Sequence, residues 1–329
     1  MLVPILLFAV GLVFLIKGGD WFVDGACGIA KRFHLPEILI GATVVSIGTT
    51  LPEVMVSATA AAQGEGEIAY GNAIGSIICN TSLIAALTVA IRPSKINKKP
   101  LLLPVCFFFA AAIFYSLVAY TTGYFSRTIG LHLLGVFVVY MAISIRQAFK
   151  NPVKEEEHEA LEMPDGEAVS AKKAIAREIV LLIIGAALIA VGARLLVNNG
   201  TIIAEKLGVP DSVIALTFVA LGTSLPELVT AISSLAKGHG SLSLGNVIGA
   251  NLFNLVLVSG VAVTVSPFHI PTSSQLAGMT TSLVVEIPLM FTVMLILTIP
   301  ALIRGKLSRV QGISLLAMYA AFCVFQFVI

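Results

Sequence analysis

Charged residues are scarce in this chain. Asp, Glu, Lys and Arg make up 12% of 329 residues while 57% are hydrophobic, against about 25% charged in a soluble globular domain. A soluble fold of this size is therefore excluded. Cysteine is sparse too, and Cys27, Cys79, Cys106 and Cys323 show no paired spacing, which argues against a disulfide framework and against a zinc site. No basic stretch precedes the first apolar run and no small-residue cleavage site follows it, so that run reads as a retained span and not as a signal peptide. The acidic stretch Glu155, Glu156, Glu157, Glu159, Glu162, Asp165 and Glu167 lacks the ligand order of an EF-hand and reads as a solvated linker.

Long apolar runs fill the rest. Residues 2–16, 38–62, 101–120, 179–197 and 283–303 each approach or exceed the length that crosses about 30 Å of hydrocarbon. Ten spans are predicted, near 2–22, 38–62, 68–91, 101–120, 128–148, 175–197, 212–236, 242–265, 280–303 and 308–328. Each should be helical, because a lipid-exposed backbone must satisfy its own hydrogen bonds and the period-two pattern of a barrel is missing. Residues 1–149 and 175–329 then form two five-helix units joined by a linker over 150–174. Of the 20 Lys and Arg residues, only Arg127, Arg194 and Lys206 fall on one side of the membrane. Positive charge stays in the cytoplasm, so the linker lies inside and both termini lie outside. The net charge of +2 thus expresses topology and no nucleic-acid surface.

The chain also repeats itself. Residues 40–80, IGATVVSIGTTLPEVMVSATAAAQGEGEIAYGNAIGSIICN, align without a gap on residues 214–254, IALTFVALGTSLPELVTAISSLAKGHGSLSLGNVIGANLFN, with 16 of 41 positions identical at an offset of 174. Pro52 meets Pro226, Glu53 meets Glu227, Asn72 meets Asn246 and Asn80 meets Asn254. Five spans per copy is an odd number, so the second copy enters the membrane inverted, and a binding site is expected at the midplane where the copies meet.

Within each copy the chemistry converges on oxygen. Pro52 removes the backbone donor that would serve the carbonyl of Gly48, and Pro226 does the same to Gly222. Carbonyls from Ser46 to Thr49 and from Ala220 to Thr223 are then candidates to point inward, beside the hydroxyls of Thr49, Thr50, Thr223 and Ser224. Glu53 and Glu227 follow the prolines and are expected at the starts of half-helices, whose dipoles favour negative charge. A charged side chain at the bilayer centre costs about 2.5 to 3.5 kcal/mol on insertion scales. Two carboxylates about 5 Å apart add roughly 3 kcal/mol of repulsion at an effective dielectric of about 20. A cation relieves both costs, and carboxylates with carbonyls, hydroxyls and amides match the hard oxygen shell of calcium. Asn72, Ser76 and Asn80 fall on one helical face, as do Asn246, Ala250 and Asn254. Gly71 with Gly75, and Gly245 with Gly249, make small-residue pairs that allow close helix contact.

The segments GTTLPE, GTSLPE and the two GNxIG motifs resemble the cation/calcium exchanger superfamily, specifically its prokaryotic sodium/calcium exchanger branch. The resemblance implies a secondary active antiporter, not an enzyme, with calcium and sodium as substrates and no cofactor. It implies that Glu53 and Glu227 share calcium with the main-chain oxygens of Thr49 and Thr223. Sodium would use the two glutamates, Thr50, Ser224, Ser76 and the carbonyls of Ser46 and Ala220, with Asn80 and Asn254 alongside. Ala250 departs from the pattern, since its counterpart Ser76 offers a hydroxyl. Asn254 stands where potassium-cotransporting relatives carry aspartate. A proton/calcium exchanger is the nearest rival, although that branch resembles GNxxE motifs without the Pro-Glu pair. A passive channel and an intramembrane hydrolase are disfavoured by the duplicated prolines and by the absence of hydrolase signatures. The setting is a cytoplasmic membrane, with no nucleic acid and no obligate protein partner indicated.

Cysteines introduced near residues 97 and 160 should be labelled only from the cytoplasm and one near the C-terminus only from outside. Labelling of all three from one side would contradict the inverted arrangement.

Overall fold

The computed structural model describes residues 2–93, 95–150, 171–206, 222–272, 275–276 and 278–328. Among these, nine helices are long and apolar enough to cross a membrane. They are α1 (Leu2–Arg32), α2 (Glu37–Ala62), α3 (Gly66–Ile91), α4 (Lys98–Thr121), α5 (Arg127–Lys150), α6 (Ala171–Lys206), α8 (Gly240–Val265), α9 (Ser282–Arg304) and α10 (Arg309–Val328). A shorter apolar helix, α7 (Leu225–Ala236), precedes α8. Residues 207–221, predicted to begin the seventh span, and most of the predicted linker, 151–170, lie outside the described residues.

Two helices outrun their predicted ends. The expected span 2–22 is a helix of 31 residues, about 46 Å at 1.5 Å per residue. Its last turns carry charge, and Asp20, Asp24 and Arg32 find partners on neighbouring elements. Lys237 Nζ lies 2.6 Å from Asp24 Oδ1 and 3.7 Å from Asp20 Oδ1, and Arg32 donates to Glu178 on α6 at 2.9 Å. Those pairs give the helix a reason to continue past the hydrocarbon.

Glycine sets how α1 meets α6. The helices run antiparallel with glycines every seven residues, so Gly11 faces Gly192 and Gly18 faces Gly185. A Cβ on Gly18 would stand 2.9 Å from the carbonyl oxygen of Gly185, and one on Gly11 2.9 Å from that of Gly192. Only small residues allow backbones this close. The pair touches the rest of the bundle mainly through α7.

The remaining helices share a core. Tyr70, Ile77, Phe108, Tyr115, Tyr140, Phe253 and Met290 pack as one buried cluster drawn from α3, α4, α5, α8 and α9. At the ends of the bundle two backbone ties recur. Strand β1 (Tyr124–Phe125), between α4 and α5, pairs antiparallel with β2 (Phe268–His269), which follows α8. Lys95, after α3, bridges to Lys306, between α9 and α10, and Ile96 N–H donates to the Gly305 carbonyl at 2.9 Å. A short hairpin of β3 (Gln275–Leu276) and β4 (Met279–Thr280) precedes α9.

Several helices contain one wide turn. Gly41–Val45 in α2, Asn80–Ala85 in α3, Asn254–Val258 in α8 and Ser282–Glu286 in α9 are π-helical. Such turns are rare and concentrate at functional sites. Two of them begin at the repeated asparagines, Asn80 and Asn254.

Candidate ion-binding site

Glu53 and Glu227 are both fully buried, and Thr50, one turn before Glu53, reaches the Glu227 carboxylate. Different local structures bring them there. Glu53 was expected at the start of a half-helix, but α2 continues as helix from Ser46 to Ala62 with Pro52 inside it. A proline forfeits one donor and crowds one carbonyl, and a helix absorbs that by bending without ending. In the second copy Gly222, Thr223 and Ser224 form a turn and α7 starts at Leu225. Pro226 then occupies the first turn, where its missing donor costs nothing, and Glu227 sits where the helix dipole favours a carboxylate.

Polar side chains from α2, α3, α7 and α8 surround the pair. Thr50 Oγ1 lies 3.5 Å from Glu227 Oε1, joining α2 to α7. Thr49 Oγ1 donates to Asn246 Oδ1 at 3.2 Å. Ser46 Oγ lies 3.0 Å from the Asn246 carbonyl and 2.7 Å from that of Gly41. Asn72 Nδ2 donates to the Glu53 carbonyl at 3.2 Å and to Ser57 Oγ at 2.8 Å. Close approach makes this possible: a Cβ on Gly41 would stand 2.8 Å from the Asn246 nitrogen, and one on Gly249 2.6 Å from the Ala42 Cα.

Among the described residues several of these polar atoms find no partner: both carboxylate oxygens of Glu53, Oε2 of Glu227, Oγ of Ser224 and the side-chain amides of Asn80 and Asn254 are buried without a hydrogen bond. Buried polar groups are nearly always paired, so a concentration of unpaired oxygens calls for a ligand that supplies positive charge. Ser76 is buried and Thr223 half-buried, and Ala250 adds only a methyl group. Ala220 lies outside the described residues. Sequence reasoning missed Thr230, a buried, unpartnered hydroxyl three residues after Glu227 on the same helix face. It also missed Ser57, which anchors Asn72.

A cavity of about 500 Å³ lies beside the site, lined by Arg194 and Asn198 of α6 together with Pro52, Thr223 and Pro226. Phe22 of α1 packs against Gly48, which also lines that cavity, and a Cβ on Gly48 would stand 2.9 Å from the ring.

Two stretches of the chain, residues 3–146 and 177–328, match the family model described as sodium/calcium exchanger protein. The chain belongs to the sodium/calcium exchanger family. Membership makes it a multi-pass membrane transporter and not an enzyme. Among relatives of this exchanger is the sodium/calcium exchanger MaX1 of Methanosarcina acetivorans, 32% identical with 99% of each chain covered. The inner membrane protein YrbG of Escherichia coli is 35% identical over 82% of each chain. Solved structures of the sodium-calcium exchanger NCX_Mj superpose with a TM-score of 0.80 at 31% identity, covering 97% of both chains.

Replacing Glu53 or Glu227 by Gln should weaken calcium binding by roughly 30-fold or more, the equivalent of about 2 kcal/mol for losing one partner of a buried charged contact. Membrane insertion should be unchanged. Isothermal titration calorimetry on the purified variants checks this, and wild-type affinity in either one would contradict the site.

Proposed function

We propose that this chain is a secondary active antiporter that exchanges sodium for calcium across the cytoplasmic membrane by alternating access, without potassium. The observation that carries the reading is the pair of buried carboxylates, Glu53 and Glu227, whose oxygens are left largely unpartnered among hydroxyls and amides. Calcium is shared between the carboxylates and the main-chain oxygens of Thr49 and Thr223. Sodium uses overlapping oxygens from Ser46, Thr50, Ser76, Ala220 and Ser224, with Asn80 and Asn254 alongside. Because both ions draw on the same two carboxylates, each excludes the other and no second site is needed for coupling.

Ten spans in two inverted halves fit the described helices. The antiparallel course of α1 and α6 supports the inversion, since the two are counterparts in the repeat. So do the two end ties, each of which joins the turn after the third helix of one half to the turn between the fourth and fifth of the other. In this orientation Arg194 lies toward the outside of the cavity, and Phe22 on Gly48 lies on its cytoplasmic side. Sliding of the α1–α6 pair over the site bundle would reverse these conditions. The pair is tightly packed within itself and joined to the rest chiefly through α7, which favours such motion. If more sodium charge enters than calcium charge leaves, each net charge contributes about 2.3 kcal/mol per 100 mV of membrane potential.

Potassium independence rests on Asn254. Two carboxylates balance one calcium ion, and an amide adds no charge to hold potassium beside it. Calcium uptake into proteoliposomes should therefore require an outward sodium gradient and proceed equally well when potassium is replaced by choline, while Asn254→Asp should make uptake sensitive to potassium. Uptake that ignores sodium, or that collapses in choline, would contradict the reading.

A further inference from the structure

A second group of metal-ligand residues lies far from the two glutamates. Cys27 of α1, Glu37 at the start of α2 and His239 just before α8 bring a thiol, a carboxylate oxygen and a ring nitrogen within 4.8 Å of one another. His239 Nδ1 stands 2.7 Å from Glu37 Oε1. All three are half-buried, with 15% of the His239 and 18% of the Glu37 side-chain surface exposed, so an ion can reach them from solution. Asp24 and Lys237 are further charges that act on Cys27.

Duplication does not account for this trio. At the offset of 174 the corresponding residues are Thr201, Asp211 and Glu65, which include neither a thiol nor an imidazole. The site is individual to one end of the molecule. Its donor set is also unlike that of the transport site: sulfur and nitrogen select a borderline-soft ion such as zinc over calcium or sodium. Tetrahedral zinc, with ligands at about 2.0 to 2.3 Å, needs donor atoms roughly 3.3 to 3.8 Å apart. Atoms already within 4.8 Å meet that with small side-chain adjustments.

We infer that Cys27, Glu37 and His239 form a binding site for zinc or a similar transition-metal ion, which pins α1 to the α2 and α8 ends of the site bundle. The site supplies three protein ligands, leaving a fourth position for water. The pinning, though not the binding, rests on the transport reading above: if α1 must slide for the cytoplasmic side to open, an ion that ties it to two fixed elements holds the transporter facing outward.

Cobalt(II) titrated into the purified full-length protein, with excess calcium occupying the glutamates, tests the binding. One equivalent should bind and give a thiolate-to-cobalt absorption that zinc then abolishes. Cys27→Ser should remove that absorption, and Cys27→Ser, Glu37→Gln and His239→Gln should each weaken the metal by roughly tenfold or more. Absorption missing from the unmodified protein, affinity unchanged in all three variants, or binding lost in Glu53→Gln instead would overturn the site. None of these readouts needs transport, so they stand apart from the fate of the exchange reading. For the pin, micromolar zinc on the cytoplasmic side should slow calcium exchange in the unmodified protein and spare Cys27→Ser; equal slowing of both, or of neither, would overturn it.

Discussion

Two carboxyl groups held together in an apolar interior set the terms for everything around them. Glu53 and Glu227 are fully enclosed, and among the described residues three of their four carboxylate oxygens receive no hydrogen bond. A pair of charges in that position opposes folding by several kcal/mol unless a cation or protons compensate. On the proposed reading the bundle couples its own stability to ion occupancy. An empty, doubly ionised site is the state it disfavours most.

The surrounding architecture follows from bringing two such groups to one point. Glycines at Gly41 and Gly249 let α2 and α8 approach until the Asn246 side chain meets Thr49 and Ser46. The wide turns beginning at Asn80 and Asn254 interrupt regular hydrogen bonding where the polar stripe reaches the site. Rigidity is needed here, because ligand spacing decides which ion fits. The α1–α6 pair is built differently, with close backbone contact within the pair and few ties beyond it. Its ion pairs to Lys237 and within Arg32–Glu178 sit at one end, where they hold the pair in place without fixing it at the site.

Much of this was legible in the sequence. Apolar runs give the helices because lipid leaves a backbone no other partner, and the offset of 174 pairs the glutamates before any coordinates are known. Elsewhere local reasoning ran out. Proline next to Glu53 suggested a break that α2 does not make, since whether a helix bends or ends depends on its neighbours. The span predicted over residues 2–22 stops short of the end of α1, because the partners of Asp20, Asp24 and Arg32 lie on α6 and after α7. Unpaired cysteine spacing argued against a zinc site, and spacing along the chain could not show that Cys27, Glu37 and His239 on three separate elements come together. Cys27 and His239 meet only through the fold.

The central claim is that calcium and sodium compete for one site built on Glu53 and Glu227. Calcium binding to the purified protein, measured at equilibrium over a series of sodium concentrations with ionic strength held by choline, tests it most directly. The account predicts that rising sodium weakens the apparent calcium affinity while the number of bound calcium ions at saturation stays the same. A calcium affinity indifferent to sodium, or a saturation level that falls as sodium rises, would contradict it.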